Sequence, residues 1–384
     1  TPGSVMSMAA HLHNDGALDD GAINVALAGN LCRCTGYAPI IRARRRASEL
    51  AAEQGDPFAA EEAALQARLN TLRGDGPLDS TSAEGRISLP ADSAMLAALY
   101  EAHPSAVLVA GATDVGLWVT KQQRDFGHVI AVRTAQDLNR IEQSPQGVWV
   151  GAAVTYTDAM AALIAILPEA QETLRRIGST QVRNSATLCG NIGNASPIGD
   201  GPPLLIAAGA VLHLRKGEAR RSLNLEEYFL DYGGQDRQPG EFIEAVFIPA
   251  QPKNAVFRAY KVSKRFDQDI SAVMGAFSLT FGADGVITQA RLGFGGMAGV
   301  PRRAVAAEQA LIGRMWDKAA CDAAMSAVRE EFSPLSDMRG SAWYRTTITA
   351  NLLARFFEET AQGQSLRLEG WRAVTPPAMG EFGL

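Results

Sequence analysis

Three short segments of this 384-residue chain carry residue types whose spacing could do chemistry. In GNLCRCTGY, residues 29–37, a single residue separates Cys32 from Cys34. That spacing suits two thiolates aimed at one metal centre better than the two ends of a disulfide, and flanking glycines let the backbone fold tightly round an inorganic group. A [2Fe–2S] cluster takes four thiolates, so a cluster here needs a second pair from outside this chain. Taken alone, the two cysteines read more readily as packed thiols than as cluster ligands. In LVAGATDVGL, residues 108–117, a strand ending at Gly111 runs into a helix starting near Thr113. Such a turn aims free backbone N–H groups and the positive end of a helix at one point, which is a pyrophosphate site. Neither G-x-G-x-x-G nor the Lys-Ser/Thr of a P-loop is present, so a plain strand–turn–helix is the alternative. The third segment, residues 179–211, packs Gly190, Asn191, Gly193, Asn194, Ser196 and Gly199 between Thr187 and Asp200. Glycines admit a ligand close to the main chain, while amides and hydroxyls supply hydrogen bonds. An irregular surface loop is the other reading, and the long apolar stretch that follows argues against it.

The elements that must position these residues follow from the hydrophobic pattern. Residues 1–54 read as three helices, the first capped by Thr1, the third carrying the basic run Arg42, Arg44, Arg45 and Arg46 as a solvated face. Residues 55–85, rich in Gly, Ser and Asp around a short helical stretch, read as a linker. Over 86–250 short strands alternate with helices, predicting an α+β domain of two lobes. Its strands are expected at 107–111, 128–132, 148–153, 210–215 and 241–248, with one long helix near 157–176. Residues 255–365 begin with a hairpin, 273–281 and 286–294 about Ala283-Asp284-Gly285, followed by three helices over one face of its sheet. Residues 366–384 read as an extended tail.

Bulk properties narrow the class. A net charge of −5 gives no general attraction to nucleic acid or anionic membrane, and four cysteines are too few for a disulfide framework. Cys189 and Cys321 stand alone and read as buried, inert thiols. No apolar run approaches ~20 residues and no signal-peptide pattern opens the chain, so a cytoplasmic location is expected. The opening TPGSVMSMAAHL lacks an initiating Met, which predicts the downstream portion of a longer polypeptide.

TPGSVMSMAAHL followed by ALAGNLCRCTGYAPI resembles the helical second iron–sulfur domain of the molybdenum hydroxylases, the xanthine dehydrogenase and aldehyde oxidase family. The resemblance makes Cys32 and Cys34 the second pair of [2Fe–2S] ligands, with the first pair in a C-x-x-C element ending just before Thr1 and a ferredoxin-like domain upstream. LVAGATDVGL and TLCGNIGNASPIGD resemble the family's FAD domain, of the vanillyl-alcohol-oxidase type of fold. It implies that Leu108, Val109, Ala110, Gly111, Ala112, Thr113, Asp114 and Val115 wrap the FAD pyrophosphate and ribityl chain. It also implies that Thr187, Gly190, Asn191, Asn194 and Ser196 meet FAD. Ile177 stands where relatives carry an aromatic over the adenine. FIEAVFIP (242–249) resembles the strand that delivers Ile243 to the flavin ring, and YKVSKRFDQDISAV (260–273) opens a third domain of the CO dehydrogenase flavoprotein C-terminal type, with Lys261 contacting flavin. Read without the resemblance, Lys261 is a surface lysine. Asp200 and Tyr232 are implied near the site where NAD⁺ approaches, and no side chain is needed as acid, base or nucleophile.

The resemblance implies an electron-transfer flavoprotein. Electrons leave a molybdopterin centre on a large partner subunit, pass through [2Fe–2S] clusters to FAD, and reduce NAD⁺. It further implies a bacterial split-subunit enzyme assembled as an (αβ)₂ heterotetramer, with xanthine or hypoxanthine as reducing substrate. Aldehyde, nicotinate or carbon monoxide are the other substrates weighed, and O₂ the other acceptor. An unrelated FAD enzyme on the same fold has no use for the cysteine domain. A scaffold with vestigial cofactor loops would be colourless.

Overall fold

The computed structural model describes residues 2–14, 16–56, 58–72 and 76–364. The expected cap at Thr1 and the tail 366–384 lie outside the described residues. Two compact units result, one up to Gly76 and one spanning Pro77–Gln364.

The first unit is helical: α1 (Pro2–His13), α2 (Asp20–Leu27), α3 (Ala38–Gln54) and α4 (Ala59–Leu72). Asp19 caps α2 by accepting the N–H of Ala22 at 3.0 Å. The basic run on α3 is not uniformly solvated. Arg44 is 1% exposed, and its Nε donates to His11 Nδ1 at 2.9 Å while Nη2 donates to the His11 carbonyl at 3.1 Å. A buried guanidinium is tolerated where its donors find acceptors, which α1 supplies. The 14-residue α4 occupies much of the segment read as a linker.

In the second unit, β1 (Leu78–Ser82), β2 (Gly85–Leu89), β3 (Val107–Val109) and β4 (His128–Ala131) form a sheet in the order β1-β2-β4-β3, with α5 (Ser93–Ala102) and α6 (Val115–Gln122) between its strands. The hairpin β1–β2 thus takes residues 78–85 into the sheet rather than leaving them as linker. A second sheet runs β5-β6-β11-β7-β8, from β5 (Ile141–Ser144), β6 (Gly147–Gly151), β7 (Val211–Lys216), β8 (Ala219–Asn224) and β11 (Phe242–Pro249); a short pair, β9 (Phe229–Asp231) and β10 (Gly234–Gln235), stands apart. Between β6 and β7 lie α7 (Tyr156–Ile166), α8 (Gln171–Arg175), α9 (Thr180–Ser185), α10 (Leu188–Asn194) and α11 (Gly201–Ala208). The single helix expected over 157–176 is interrupted at Pro168, because proline disfavours helical geometry in the residue before it.

The third sheet pairs β12 (Ala255–Val262), β13 (Val273–Phe281), β14 (Ile287–Gly295) and β15 (Arg302–Arg303), with α12 (Val305–Leu311) and α14 (Ala342–Thr360) packed against it and α13 (Lys318–Glu331) packed on those two helices. The expected hairpin forms, with Gly285 at φ +79°. The first seven residues of β13 are all buried, because α11 also packs on this sheet. Contact there is close: a Cβ on Gly293 would lie 2.4 Å from the carbonyl oxygen of Pro203.

Candidate functional site

A cavity of about 380 Å³ opens within the second unit. One wall is the turn between β3 and α6. Helix α6 begins at Val115, later than the sequence suggests, and Ala110–Asp114 form a turn with Ala112 at φ +58°. The N–H groups of Gly111, Ala112, Thr113 and Asp114 donate to no protein acceptor among the described residues. Four successive open donors make an anion cradle. Strand β3 is half-buried rather than buried, and Val107 and Leu108 from it line the cavity.

The opposite wall comes from the Gly- and Asn-rich segment. Its first half is a helix rather than a loop, since Thr187 caps α10 (Leu188–Asn194) by accepting the N–H of Gly190 at 2.9 Å, and residues 195–200 form the turn that leads into α11. Glycine and asparagine are weak helix formers, so composition hid this helix. The two walls touch, since a Cβ on Gly190 would lie 3.8 Å from the Ala110 Cβ and one on Gly111 would lie 2.1 Å from the Ser185 carbonyl oxygen.

The cavity brings together Leu108, Ala110, Gly111, Ala112, Thr113, Asp114 and Val115 with Thr187, Gly190, Asn191, Asn194 and Ile243. Burial raises the Asp114 pKa. Val109, Ile177, Ser196, Asp200, Tyr232 and Lys261 are not among the lining residues. Tyr232 is 77% exposed, and Ile177 packs against the core. Lys261 is no surface lysine: it is 8% exposed, and its Nζ pairs with Asp200 Oδ2 at 2.5 Å while Ser271 Oγ donates to Asp200 Oδ1 at 2.5 Å.

Sequence reasoning missed Tyr100, Trp118, Tyr228, Arg237 and Phe242, which also line the cavity. Phe242 adjoins Ile243 on β11, where strict alternation would send one of the two away. The pairing of β11 with β7 shifts register between Ile243 and Ala245, and such bulges re-aim side chains. Arg237 donates to the Tyr100 hydroxyl at 2.7 Å and to the Glu241 carbonyl at 3.0 Å.

In the first unit, Cys32 Sγ and Cys34 Sγ lie 3.7 Å apart, Cys32 buried and Cys34 exposed. Two thiolates bonded at about 2.3 Å to one tetrahedral metal stand about 3.8 Å apart, so the pair fits two ligands on one iron. Among the described residues no group of three or more His, Cys, Asp or Glu is gathered to hold a metal. Thr35 Oγ1, 3.3 Å from Cys32 Sγ, is the chief reason the Cys32 thiol is lowered to about 7, with Cys34 contributing. In a C34S background, replacing Thr35 by valine is therefore expected to raise the Cys32 pKa and slow its alkylation at neutral pH several-fold, since the thiolate is the nucleophile. An unchanged alkylation rate would remove Thr35 from that role.

Comparison with known proteins bears on both sites. Residues 83–251 match the FAD binding domain in molybdopterin dehydrogenase, residues 258–360 the CO dehydrogenase flavoprotein C-terminal domain, and residues 1–45 a [2Fe–2S] binding domain. The chain belongs to the molybdenum hydroxylase family. Among family members, a nicotinate hydroxylase of Emericella nidulans is 32% identical over 69% of this chain and 21% of its own length. A xanthine dehydrogenase of the same organism is 26% identical over 94% of this chain and 30% of its own. The chain thus spans about a fifth to a third of the length of these curated relatives. Reconstituted CO dehydrogenase from Oligotropha carboxidovorans matches with a TM-score of 0.65 and 28% identity, over 72% of this chain and 96% of that one. An FAD-binding domain and a [2Fe–2S]-binding domain are both present in this molybdenum hydroxylase chain. Among the described residues, no helix is long and apolar enough to cross a membrane.

Proposed function

We propose that this chain is the electron-transferring flavoprotein part of a xanthine dehydrogenase. In this reading it receives electrons that a molybdopterin centre on a large partner subunit takes from hypoxanthine or xanthine, and delivers them as hydride to NAD⁺ in the cytoplasm. The observation that carries the reading is the amide-lined cavity in the same polypeptide as a cysteine pair at one-metal spacing. FAD exchanges single electrons on one side and a hydride on the other. The chain's own residues bind and orient it. The open N–H groups of 111–114 would hold the pyrophosphate, Asp114 would accept from a sugar hydroxyl, and Ile243 with Phe242 would pack against the ring system. Asp200, Lys261 and Tyr232 are assigned to the acceptor side, and Cys32 and Cys34 to half of a [2Fe–2S] ligand set.

A xanthine dehydrogenase match that takes in 94% of this chain supports the reading, and oxidation of carbon monoxide fits the same flavoprotein role. Nicotinate or aldehyde oxidation fits the same flavin cavity, because the reducing substrate binds on the partner. Anaerobic addition of xanthine to the complete complex is expected to bleach the flavin absorbance, and NAD⁺ to restore it with formation of NADH. Bleaching by nicotinate or an aldehyde but not by xanthine would reassign the substrate, and no bleaching by any of them would sink the electron-transfer reading. An (αβ)₂ assembly predicts two copies of each chain by mass measurement.

A further inference from the structure

Asn191 lines the cavity, and its side-chain amide is held by a tyrosine outside the lining. Tyr156, at the start of α7, is 1% exposed and donates its hydroxyl hydrogen to Asn191 Oδ1 at 2.9 Å. Backbone contacts fix the two elements against each other: Tyr156 N–H donates to the Ala186 carbonyl at 2.9 Å, and Leu188 N–H to the Val154 carbonyl at 3.2 Å. Gly201 closes over the pair, since a Cβ there would lie 2.2 Å from the Tyr156 hydroxyl and 2.5 Å from Asn191 Oδ1.

The direction of this hydrogen bond has a consequence. Among the described residues Asn191 is the one acceptor within reach of the Tyr156 hydroxyl. Were the amide turned so that Nδ2 donated to the tyrosine, the phenolic proton would be buried without a partner, costing about 1–3 kcal/mol. Burial also pushes the phenol pKa upward, keeping it a donor. Oδ1 is therefore committed to Tyr156. Nδ2, with two N–H donors and no protein acceptor among the described residues, is left for the cavity that Asn191 lines.

We propose that Tyr156 is a positioning residue for the cofactor: it locks the Asn191 amide so that its NH₂ group, not its carbonyl, meets the ligand and selects an acceptor atom on it. The inference rests on the flavin reading of the cavity, where the acceptor is a ring carbonyl, a ring nitrogen or a phosphate oxygen.

Titration of the apoproteins with FAD, followed by flavin fluorescence, tests it, with thermal melting of each apoprotein as the check on folding. Asn191→Asp is nearly isosteric and keeps the Tyr156 bond, but turns an acceptor towards an acceptor; FAD affinity is expected to fall by about 100-fold. Tyr156→Phe frees the amide to turn and is expected to weaken FAD by about tenfold, with no further loss when Y156F is added to N191A, because the tyrosine acts through the asparagine. Wild-type affinity in N191D, or an equal loss from Y156F with and without Asn191, overturns the proposal. If Y156F does not fold, N191D decides the matter. A wild-type apoprotein that takes up no FAD would instead sink the flavin reading itself.

Discussion

Replacing Gly111 by alanine is expected to cost this protein its flavin. The turn after β3 packs directly on the backbone that leads into α10, and a methyl group at Gly111 would sit 2.1 Å from the Ser185 carbonyl oxygen and 2.7 Å from the Ala186 Cα. Both are main-chain atoms, so no side chain can swing aside. Ala186 is itself held, its carbonyl accepting the Tyr156 N–H at 2.9 Å. Relief requires the turn to move by roughly an ångström, which takes the four open N–H groups out of register with any pyrophosphate. An affinity loss of about 100-fold or more is expected, equivalent to roughly 2.7 kcal/mol. Gly116, five residues on and inside α6, supplies the contrast. A Cβ there meets nothing within 4 Å. G116A should retain flavin and melt slightly higher, since alanine is favoured over glycine in a helix by about 0.5–1 kcal/mol. Flavin absorbance per chain in the purified variants decides it, and a G111A protein with wild-type flavin content would remove the tight turn from the account.

Lys261 and Asp200 carry the second large effect. The two side chains are 2% and 8% exposed and form an ion pair at 2.5 Å between β12 and the residue preceding α11, with Ser271 donating to the second carboxylate oxygen. Deleting one member leaves a buried charge without its counter-ion, which typically costs about 3–5 kcal/mol. K261A and D200A are each expected to lower the melting temperature by on the order of 10 °C. Replacing both by apolar residues of similar volume, K261M with D200L, is expected to recover most of that loss, because no unpaired charge remains. Differential scanning calorimetry of the three variants checks the pattern; single variants destabilised by less than about 1 kcal/mol would mean that water reaches the pair.

Both halves of the cavity could be read from the sequence because each is a contiguous run. Residues 108–115 combine a β-rich triplet with a glycine at the turn, and 187–194 concentrate glycines and amides. Their juxtaposition could not be read from residue types, since the contact of Ala110 with Gly190 depends on tertiary packing. Tyr100, Tyr228 and Arg237 escaped for the same reason: each comes from a separate element and is ordinary in its own neighbourhood. Arg44 and Lys261 were hidden differently. A cation in a basic helix or a polar strand end is usually solvated, and only the positions of His11 and Asp200 show why these two are buried. Helix α10 was masked by weak helix formers, yet Thr187 with Gly190 three residues on is a cap spacing that composition obscured.

Binding of FAD by this chain would depend above all on the backbone N–H groups of 111–114 holding its pyrophosphate. Calorimetric titration of the apoprotein with riboflavin, FMN and FAD tests this most directly. The expected result is one FAD per chain, bound at least about 100-fold more tightly than riboflavin, with G111A erasing most of that gap. Equal affinity for riboflavin and FAD, or no binding of any of the three, would contradict it.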